Sequence, residues 1–290
     1  MRAGYVAVIG KTNAGKSTLI NKLLGFKLNI VSPKVQTTRV NVLGILTESE
    51  SQIVFIDTPG IHRAKTMLDK FMNKSYRAAS EGADLILYLV DGSKETSEEE
   101  IQNIKNMIAK FEKVIVGVSK IDLAAQKKLL ENLSLLNEVG ASEIVPFSSK
   151  SGKNVDMLKQ LIIKNLPERN FLFGGEEVSD RPVLFFCAEI VREKVLSTIN
   201  EEIPHGVFCE VISHSENEKL FEIAVDIICE KESHKSIIIG RGGEKLKQIG
   251  SRARADIEKL VGKKVMLKLF VKVEKDWRNK QNFLTTNIYS

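Results

Sequence analysis

The chain has 290 residues, 43 Lys and Arg against 37 Asp and Glu, a formal net charge of +6, and 43% hydrophobic residues. This balance excludes a disordered or low-complexity chain and leaves length for one or two domains with cores of their own. No apolar run approaches the roughly 18 residues of a membrane-spanning helix, and the chain enters a strand almost at once, so no signal or transit peptide is expected. Tyr5–Ile9 is the first apolar run, followed by a Gly-rich turn and a helix over Thr18–Leu24. Val40–Thr47 reads as an antiparallel edge strand. Ile53–Ile56, Leu85–Val90, Val114–Val118 and Glu143–Phe147 are near-continuous apolar runs, as strands covered on both faces should be. Helical patterns alternate with them over Met67–Glu81, Ser97–Lys110, Ala124–Glu138 and Asn154–Asn165. The alternation predicts a doubly wound α/β domain with a mostly parallel sheet over residues 1–166. Pro167–Pro182 carries two prolines, a Gly pair and charges, and 167–181 reads as a linker. An α+β unit is expected over 182–290. It begins with a strand at Pro182–Glu189 and a helix at Ile190–Asn200, with Glu189, Arg192 and Glu193 read as solvated charges. Paired strands follow at Val207–Ser213 and Phe221–Cys229. Ser236–Ile239 then leads into a second Gly-rich turn, a helix to about Val261 and the strand Lys264–Val273.

Charge is distributed unevenly: +3 over residues 1–180, −6 over 181–234 and +9 over 235–290. A basic C-terminal block suggests a polyanion as its partner. The cysteines, Cys187, Cys209 and Cys229, have no CxxC spacing and apolar neighbours, and read as reduced core thiols of a cytoplasmic protein. The four histidines show no metal-ligand spacing.

The first Gly-rich turn is Gly10-Lys11-Thr12-Asn13-Ala14-Gly15-Lys16-Ser17, which fits G-x-x-x-x-G-K-[ST] between a buried strand and a helix beginning near Thr18. Such a loop wraps phosphate with backbone N–H groups. Its Lys supplies charge to the β- and γ-phosphates, its Ser supplies a hydroxyl to magnesium, and the helix start favours the same anion. Asp57-Thr58-Pro59-Gly60 follows the strand Ile53–Ile56. There a carboxylate can hold magnesium through water, and the Gly60 N–H can approach the γ-phosphate. Ser119-Lys120-Ile121-Asp122 follows the strand Val114–Val118. Asp122 can accept two hydrogen bonds from guanine, while Lys120 covers the base or braces the phosphate loop. Ser148-Ser149-Lys150, after the next strand, can bring a backbone N–H near guanine O6. The order of these segments on successive strand ends carries the argument, because ligands of such sheets lie at the C-terminal strand edge.

This set resembles a P-loop GTPase, and with the C-terminal half the chain resembles the Era family over nearly its whole length. The resemblance implies that Thr38, within Thr37-Thr38-Arg39, is the switch threonine that meets magnesium and the γ-phosphate in the GTP state. It implies catalysis carried by Lys16, Thr38 and Gly60, magnesium held by Ser17, Thr38 and, through water, Asp57, and a potassium site at Asn13. Three positions depart from common GTPase patterns. Ser119 stands where the family usually has Asn, so weaker nucleotide binding with guanine specificity kept by Asp122 is expected. Thr12 stands where Pro is common. Ile61 stands where Ras-like enzymes carry a water-orienting Gln, a replacement Era-like GTPases share, so slow intrinsic hydrolysis is expected.

In the C-terminal unit, Ile237-Ile238-Ile239 leads into Gly240-Arg241-Gly242-Gly243, a GxxG loop of the kind KH domains use to clamp a nucleic-acid backbone. Leu246, Ile249, Ala253, Ile257 and Leu260 form a core face of the next helix, and Lys245, Arg252 and Lys259 another. In the last strand Val265, Leu267, Leu269, Val271 and Val273 alternate with Lys264, Met266, Lys268, Phe270 and Lys272. A strand–GxxG–helix–strand order with the ending Asp276-Trp277-Arg278 is similar to the type II KH domain of the Era family. The resemblance implies RNA contacts from Ile239 to Gly243, Lys245 and Arg252. It also implies that the 3′ end of small-subunit ribosomal RNA is the partner, in assembly of that subunit. Three other readings stay open: an RNA-binding assembly factor with nucleotide as a structural ligand, a tRNA-modification GTPase, and a GTPase with a peripheral inner-membrane fraction.

Overall fold

A computed structural model describes residues 1–30, 38–60, 64–199 and 206–289. The chain divides into two compact units, with the main boundary between Asp180 and Arg181.

The first unit is a six-stranded sheet with helices on both faces. Its strands are β1 (Arg2–Gly10), β2 (Val42–Thr47), β3 (Ser51–Asp57), β4 (Leu85–Asp91), β5 (Val114–Ser119) and β6 (Glu143–Pro146), in the order β2-β3-β1-β4-β5-β6. All neighbours are parallel except β2, which runs antiparallel to β3 at one edge, as expected. The helices are α1 (Lys16–Leu24), α2 (Met67–Glu81), α3 (Glu98–Lys110), α4 (Gln126–Glu138) and α5 (Val155–Asn165). Alternate residues of each strand enter different cores. Val6, Val8, Phe55, Leu87 and Phe147 pack with Leu19 and Ile20 of α1 and Leu158 and Ile162 of α5. Ala7, Ile9, Tyr88, Val116 and Val118 pack with Ile104 of α3 and Leu136 of α4. Burial on both faces explains the unbroken apolar runs. Ser97 caps α3 by accepting a hydrogen bond from the Glu100 N–H.

The segment read as a linker is bonded to this sheet as far as Asp180. Gln52 of β3, fully buried, accepts from the Leu172 and Phe173 N–H groups at 2.7 and 3.0 Å and donates to the Phe173 carbonyl. Ile45 N–H donates to the Val178 carbonyl and Leu43 N–H to the Asp180 carboxylate. Arg169 pairs with Asp84. The composition resembles a linker because the segment bonds through its backbone and a few polar side chains rather than through an apolar face.

The second unit runs α6 (Val183–Thr198), β7 (Phe208–Glu216), β8 (Leu220–Cys229), α7 (Glu232–Ile239), α8 (Glu244–Val261), β9 (Lys264–Val273) and α9 (Gln281–Asn287). β8 is central, antiparallel to β7 and parallel to β9. Cys187 and Val191 of α6, Val225 and Ile227 of β8, and Ile249, Ala253 and Ile257 of α8 form its core. Three expectations are corrected here. Pro182–Glu189 is not a strand: it is the start of α6, which runs on through the expected helix to Thr198. Most of α6 is buried, so it lacks the polar stripe that marks a helix, and its apolar run has no period. Arg192 and Glu193 are buried rather than solvated, and Arg192 donates two hydrogen bonds to Glu189, at 2.7 and 2.5 Å. The segment before the GxxG loop is a helix, so the order is helix–GxxG–helix–strand. Ile238 reaches the core from the last turn of α7 while Ile237 packs beside it. All three cysteines are buried, and burial pushes the Cys187 thiol up to about 12.

Candidate functional site

The parallel strands end side by side in Gly10, Asp57, Asp91 and Ser119. Gly10 opens the phosphate loop with φ 147°, and a Cβ there would lie 2.4 Å from the Leu89 carbonyl oxygen, so only glycine fits. Asn13 (φ 64°) and Gly15 (φ 94°) are left-handed, and Gly15 caps α1, whose first residues are Lys16, Ser17 and Thr18. This winding curls the loop so that the Lys16 ammonium donates to the Gly10 and Lys11 carbonyls, both at 3.0 Å. The lysine therefore sits inside its own loop, aimed at the space phosphate would fill. Burial lowers it from 10.5 to about 8, against the attraction of Asp57.

Ser17, Thr38 and Asp57 converge. The Ser17 hydroxyl donates to Asp57 Oδ2 at 2.8 Å, the Thr38 hydroxyl to the same oxygen at 3.2 Å, and the two hydroxyls are 3.3 Å apart. Asp57 is fully buried, and burial raises its carboxyl above the ordinary value even though Lys16 and the two hydroxyls pull it down. Its Oδ1 is buried with no hydrogen-bond partner among the described residues. A desolvated carboxylate with one unsatisfied oxygen, beside two hydroxyls, is the hard-oxygen set that suits magnesium. Thr58 donates to the Val8 carbonyl at 2.7 Å, locking the turn that carries Pro59 and Gly60. Gly60 lies against the phosphate loop: a Cβ there would be 2.6 Å from Thr12 Cγ2 and 2.9 Å from the Thr12 nitrogen. Thr37 and Ile61 lie outside the described residues.

The base-recognition candidates sit on the next two strand ends. The Ser119 hydroxyl lies 2.8 Å from the Ala14 carbonyl and 3.0 Å from the Val90 carbonyl, tying β5 to the phosphate loop and to β4. The Lys120 ammonium donates to the Asn13 carbonyl at 2.5 Å and to Asp91 at 2.7 Å. Asp122 accepts from the buried Ser148 hydroxyl at 2.6 Å, which joins the β5 and β6 turns. Ser149 is half-buried and Lys150 exposed in the turn that follows.

Two groups of this site escape sequence reading. Asp91 holds Lys120 in place. Burial alone would raise its carboxyl, but hydrogen bonds from Lys120 and Ser93 outweigh that and leave it lowered. Its signal was present, since it is the polar residue ending an apolar strand, as Asp57 and Ser119 are. Ser97 and Glu100 of α3 are the other group, bonding Lys11 of the phosphate loop at 2.6 and 3.6 Å. No sequence spacing announces that contact.

In the second unit, α7 ends at Ile239, and Gly240, Arg241, Gly242 and Gly243 turn into α8. Gly240, Gly242 and Gly243 have φ of 76°, 59° and 81°, positive values that side chains disfavour. A Cβ on Gly242 or Gly243 would meet nothing within 4 Å, so their outer side is open. Arg241, Lys245 and Arg252 are exposed or half-exposed around this loop and along α8, and Arg252 lies 3.3 Å from the Thr198 hydroxyl. Open backbone, a helix start and three cations can together accept a phosphodiester chain.

Comparison with known proteins matches each of the two units. Residues 5–120 match the family model of the 50S ribosome-binding GTPase, and residues 202–278 match that of the KH domain. "GTPase Era" of Thermoanaerobacter sp. (strain X514) is 42% identical over 286 residues, covering 98% of this chain and 95% of that protein. The same-named protein of Caldanaerobacter subterraneus subsp. tengcongensis is 43% identical over 286 residues, covering 98% and 96%. Among solved structures, a point variant of Aquifex aeolicus Era bound to GDP and AlF4− is 38% identical with a TM-score of 0.94, each chain covered completely. An Era in complex with MgGDPNP and nucleotides 1506–1542 of 16S ribosomal RNA gives 38% and 0.94, covering 100% and 99%. With a P-loop GTPase unit, a KH unit and relatives matched over nearly their full length, this chain belongs to the Era family of GTPases.

Proposed function

We propose that this chain is a GTP-hydrolysing switch that binds the 3′ end of small-subunit ribosomal RNA through its KH domain and assists assembly of that subunit. The observation that carries the reading is the convergence of Ser17 and Thr38 on the buried Asp57, beside a buried Lys16, in a chain that also holds an open GxxG loop. The Era structure bound to MgGDPNP and to nucleotides of 16S ribosomal RNA supports the pairing of the two ligands.

In this reading residues 10–18 wrap the phosphates, and Lys16 places its charge against the β- and γ-phosphoryl oxygens. Magnesium would supply charge neutralisation there, and Ser17, Thr38 and, through water, Asp57 would hold it. Thr38 and the Gly60 N–H meet the γ-phosphate, so both segments are ordered by GTP and released after hydrolysis. Asp122 keeps acceptor capacity beyond its bond to Ser148 and takes the two N–H groups of guanine. Ser119, Lys120, Ser148, Ser149 and Lys150 shape that pocket. Asn13 contributes to a potassium site, and replacing potassium with sodium should then slow turnover. Ile239 to Gly243, Lys245 and Arg252 grip RNA. The protein works in the cytoplasm, with a peripheral inner-membrane fraction that salt-sensitive vesicle binding would reveal. No described helix is long and apolar enough to cross a membrane.

Crosslinking to RNA in extract, with the chain loaded with a GTP analogue or with GDP, tests the proposal. Recovery of the small-subunit RNA 3′ end with the analogue alone is expected. Equal recovery in both states would remove the switch and leave the RNA contact.

A further inference from the structure

The second unit has a face that the GxxG loop does not use. β9 is an edge strand of its sheet. One side of it, Val265, Leu267, Leu269, Val271 and Val273, packs on the core. The other side presents Lys264, Met266, Lys268, Phe270 and Lys272, all exposed. Phe270 is 49% exposed and Met266 42%, large values for such side chains in a strand. Lys272 pairs with the buried Asp226 of β8, so its charge is largely answered from within. Lys264 and Lys268 have no ion-pair partner among the described residues. Next to Met266 and Lys268 an open cavity of about 170 Å³ is lined by Ser213, His214, Ser215 and Glu222.

A thioether between two unpaired ammonium groups, with an aromatic ring beside the second of them, suits a ligand with both a flat apolar surface and a negative backbone. An apolar peptide would leave the two lysines without partners. Single-stranded RNA satisfies both demands, because bases stack on aromatic rings while lysines take the phosphates. β9 belongs to the same small unit as the GxxG loop: α7, which ends at that loop, packs on the inner side of β9, opposite the outward row. We propose that the outward row of β9 is a second single-stranded RNA contact, in which Phe270 stacks on a base and Lys264 and Lys268 meet the neighbouring phosphates. The proposal rests on the RNA reading of the GxxG loop and extends it to a longer stretch of RNA.

The test uses the full chain and fluorescently labelled oligouridines. One has about four nucleotides, the length a GxxG loop clamps, and one has about ten. Phe270→Ala should weaken the longer RNA about tenfold and leave the shorter one unchanged, while Phe270→Tyr keeps both. Replacing Lys264 and Lys268 together with Ala should lower the salt-dependence slope of the longer RNA by about 1.4, the value for two single-strand phosphate contacts. Unchanged GTP hydrolysis and circular dichroism show that the variants are folded. Equal affinity of Phe270→Ala and wild type for the longer RNA overturns the proposal. Equal weakening of both RNAs also overturns it, since that would mean a disturbed fold or groove. Binding to vesicles of phosphatidylglycerol and phosphatidylcholine that depends on Phe270, with RNA binding unaffected, would make this a membrane face instead. A wild-type chain that binds neither RNA overturns the RNA reading of the KH unit itself, a result separate from failure of the β9 contact alone.

Discussion

Ser119 shows how one short side chain can hold several elements. Its hydroxyl lies within hydrogen-bond distance of carbonyls of both the phosphate loop and β4, so the structural tie expected of the usual Asn survives in part. What the shorter residue cannot supply is an amide toward the base. Ser119→Asn should therefore tighten GDP by about fivefold, the equivalent of ~1 kcal/mol for one hydrogen bond. Ser119→Ala should weaken it by a similar factor, and titration calorimetry reads both. Lys16 carries a pH signature. Its pKa falls from 10.5 unfolded to about 8 in the folded chain, so between those values the unfolded state binds more protons. This group therefore opposes folding below about pH 8, and that penalty is relieved as pH rises toward 10.5. Nucleotide-free protein should lose part of this rise in stability when Lys16 is replaced by Met, as denaturant melts across that pH range would show. The same variant should lose nucleotide binding.

At the scale of elements, the turn after β3 is built against the phosphate loop rather than beside it. The space at Gly60 is closed by the Thr12 backbone and methyl group. Gly60→Ala must push one segment away, at a cost typical of overpacking, ~1–3 kcal/mol. The expected outcome is about tenfold weaker binding of a GTP analogue, with GDP affected less because it lacks the γ-phosphate that the Gly60 N–H is proposed to meet. Equal loss for both nucleotides would contradict that role. Element types were legible wherever burial was one-sided or a strand was covered on both faces. α8 could be read from Leu246, Ile249, Ala253, Ile257 and Leu260, since its opposite face is charged. The first half of α6, read as a strand over Pro182–Glu189, could not, because a helix buried on most sides has the same unbroken apolar run as a covered strand. α7 was hidden by its length: eight residues, with Ile238 alone fully buried.

For the whole molecule, the two units have separate cores, and the C-terminal segment closes the second. Trp277 is fully buried, donates to the Gly206 carbonyl at 3.0 Å, and stacks near Phe208 and Phe283, with ring centroids at 6.0 and 5.5 Å. Arg278 beside it forks onto Glu230. These contacts give the Asp276-Trp277-Arg278 ending a physical reason. Trp277→Ala should cost the second unit about 3–5 kcal/mol and leave GDP affinity unchanged, measured by thermal circular dichroism and nucleotide titration on the same sample. A parallel fall in GDP affinity would show that the units do not stand independently.

Local sequence alone determined the phosphate loop, the strand-end motifs after β3, β5 and β6, the GxxG loop and the alternation of β9, because each is contiguous and its chemistry depends on spacing along the chain. Tertiary structure alone decided the rest. It brought Asp91 under Lys120 and tied Lys11 to Ser97 and Glu100. It bonded 167–180 to the first sheet, and it buried Arg192 against Glu189 in a helix whose first half looked like a strand. In each case the partner or the covering surface comes from another element, and no pattern along one segment records what will lie across from it.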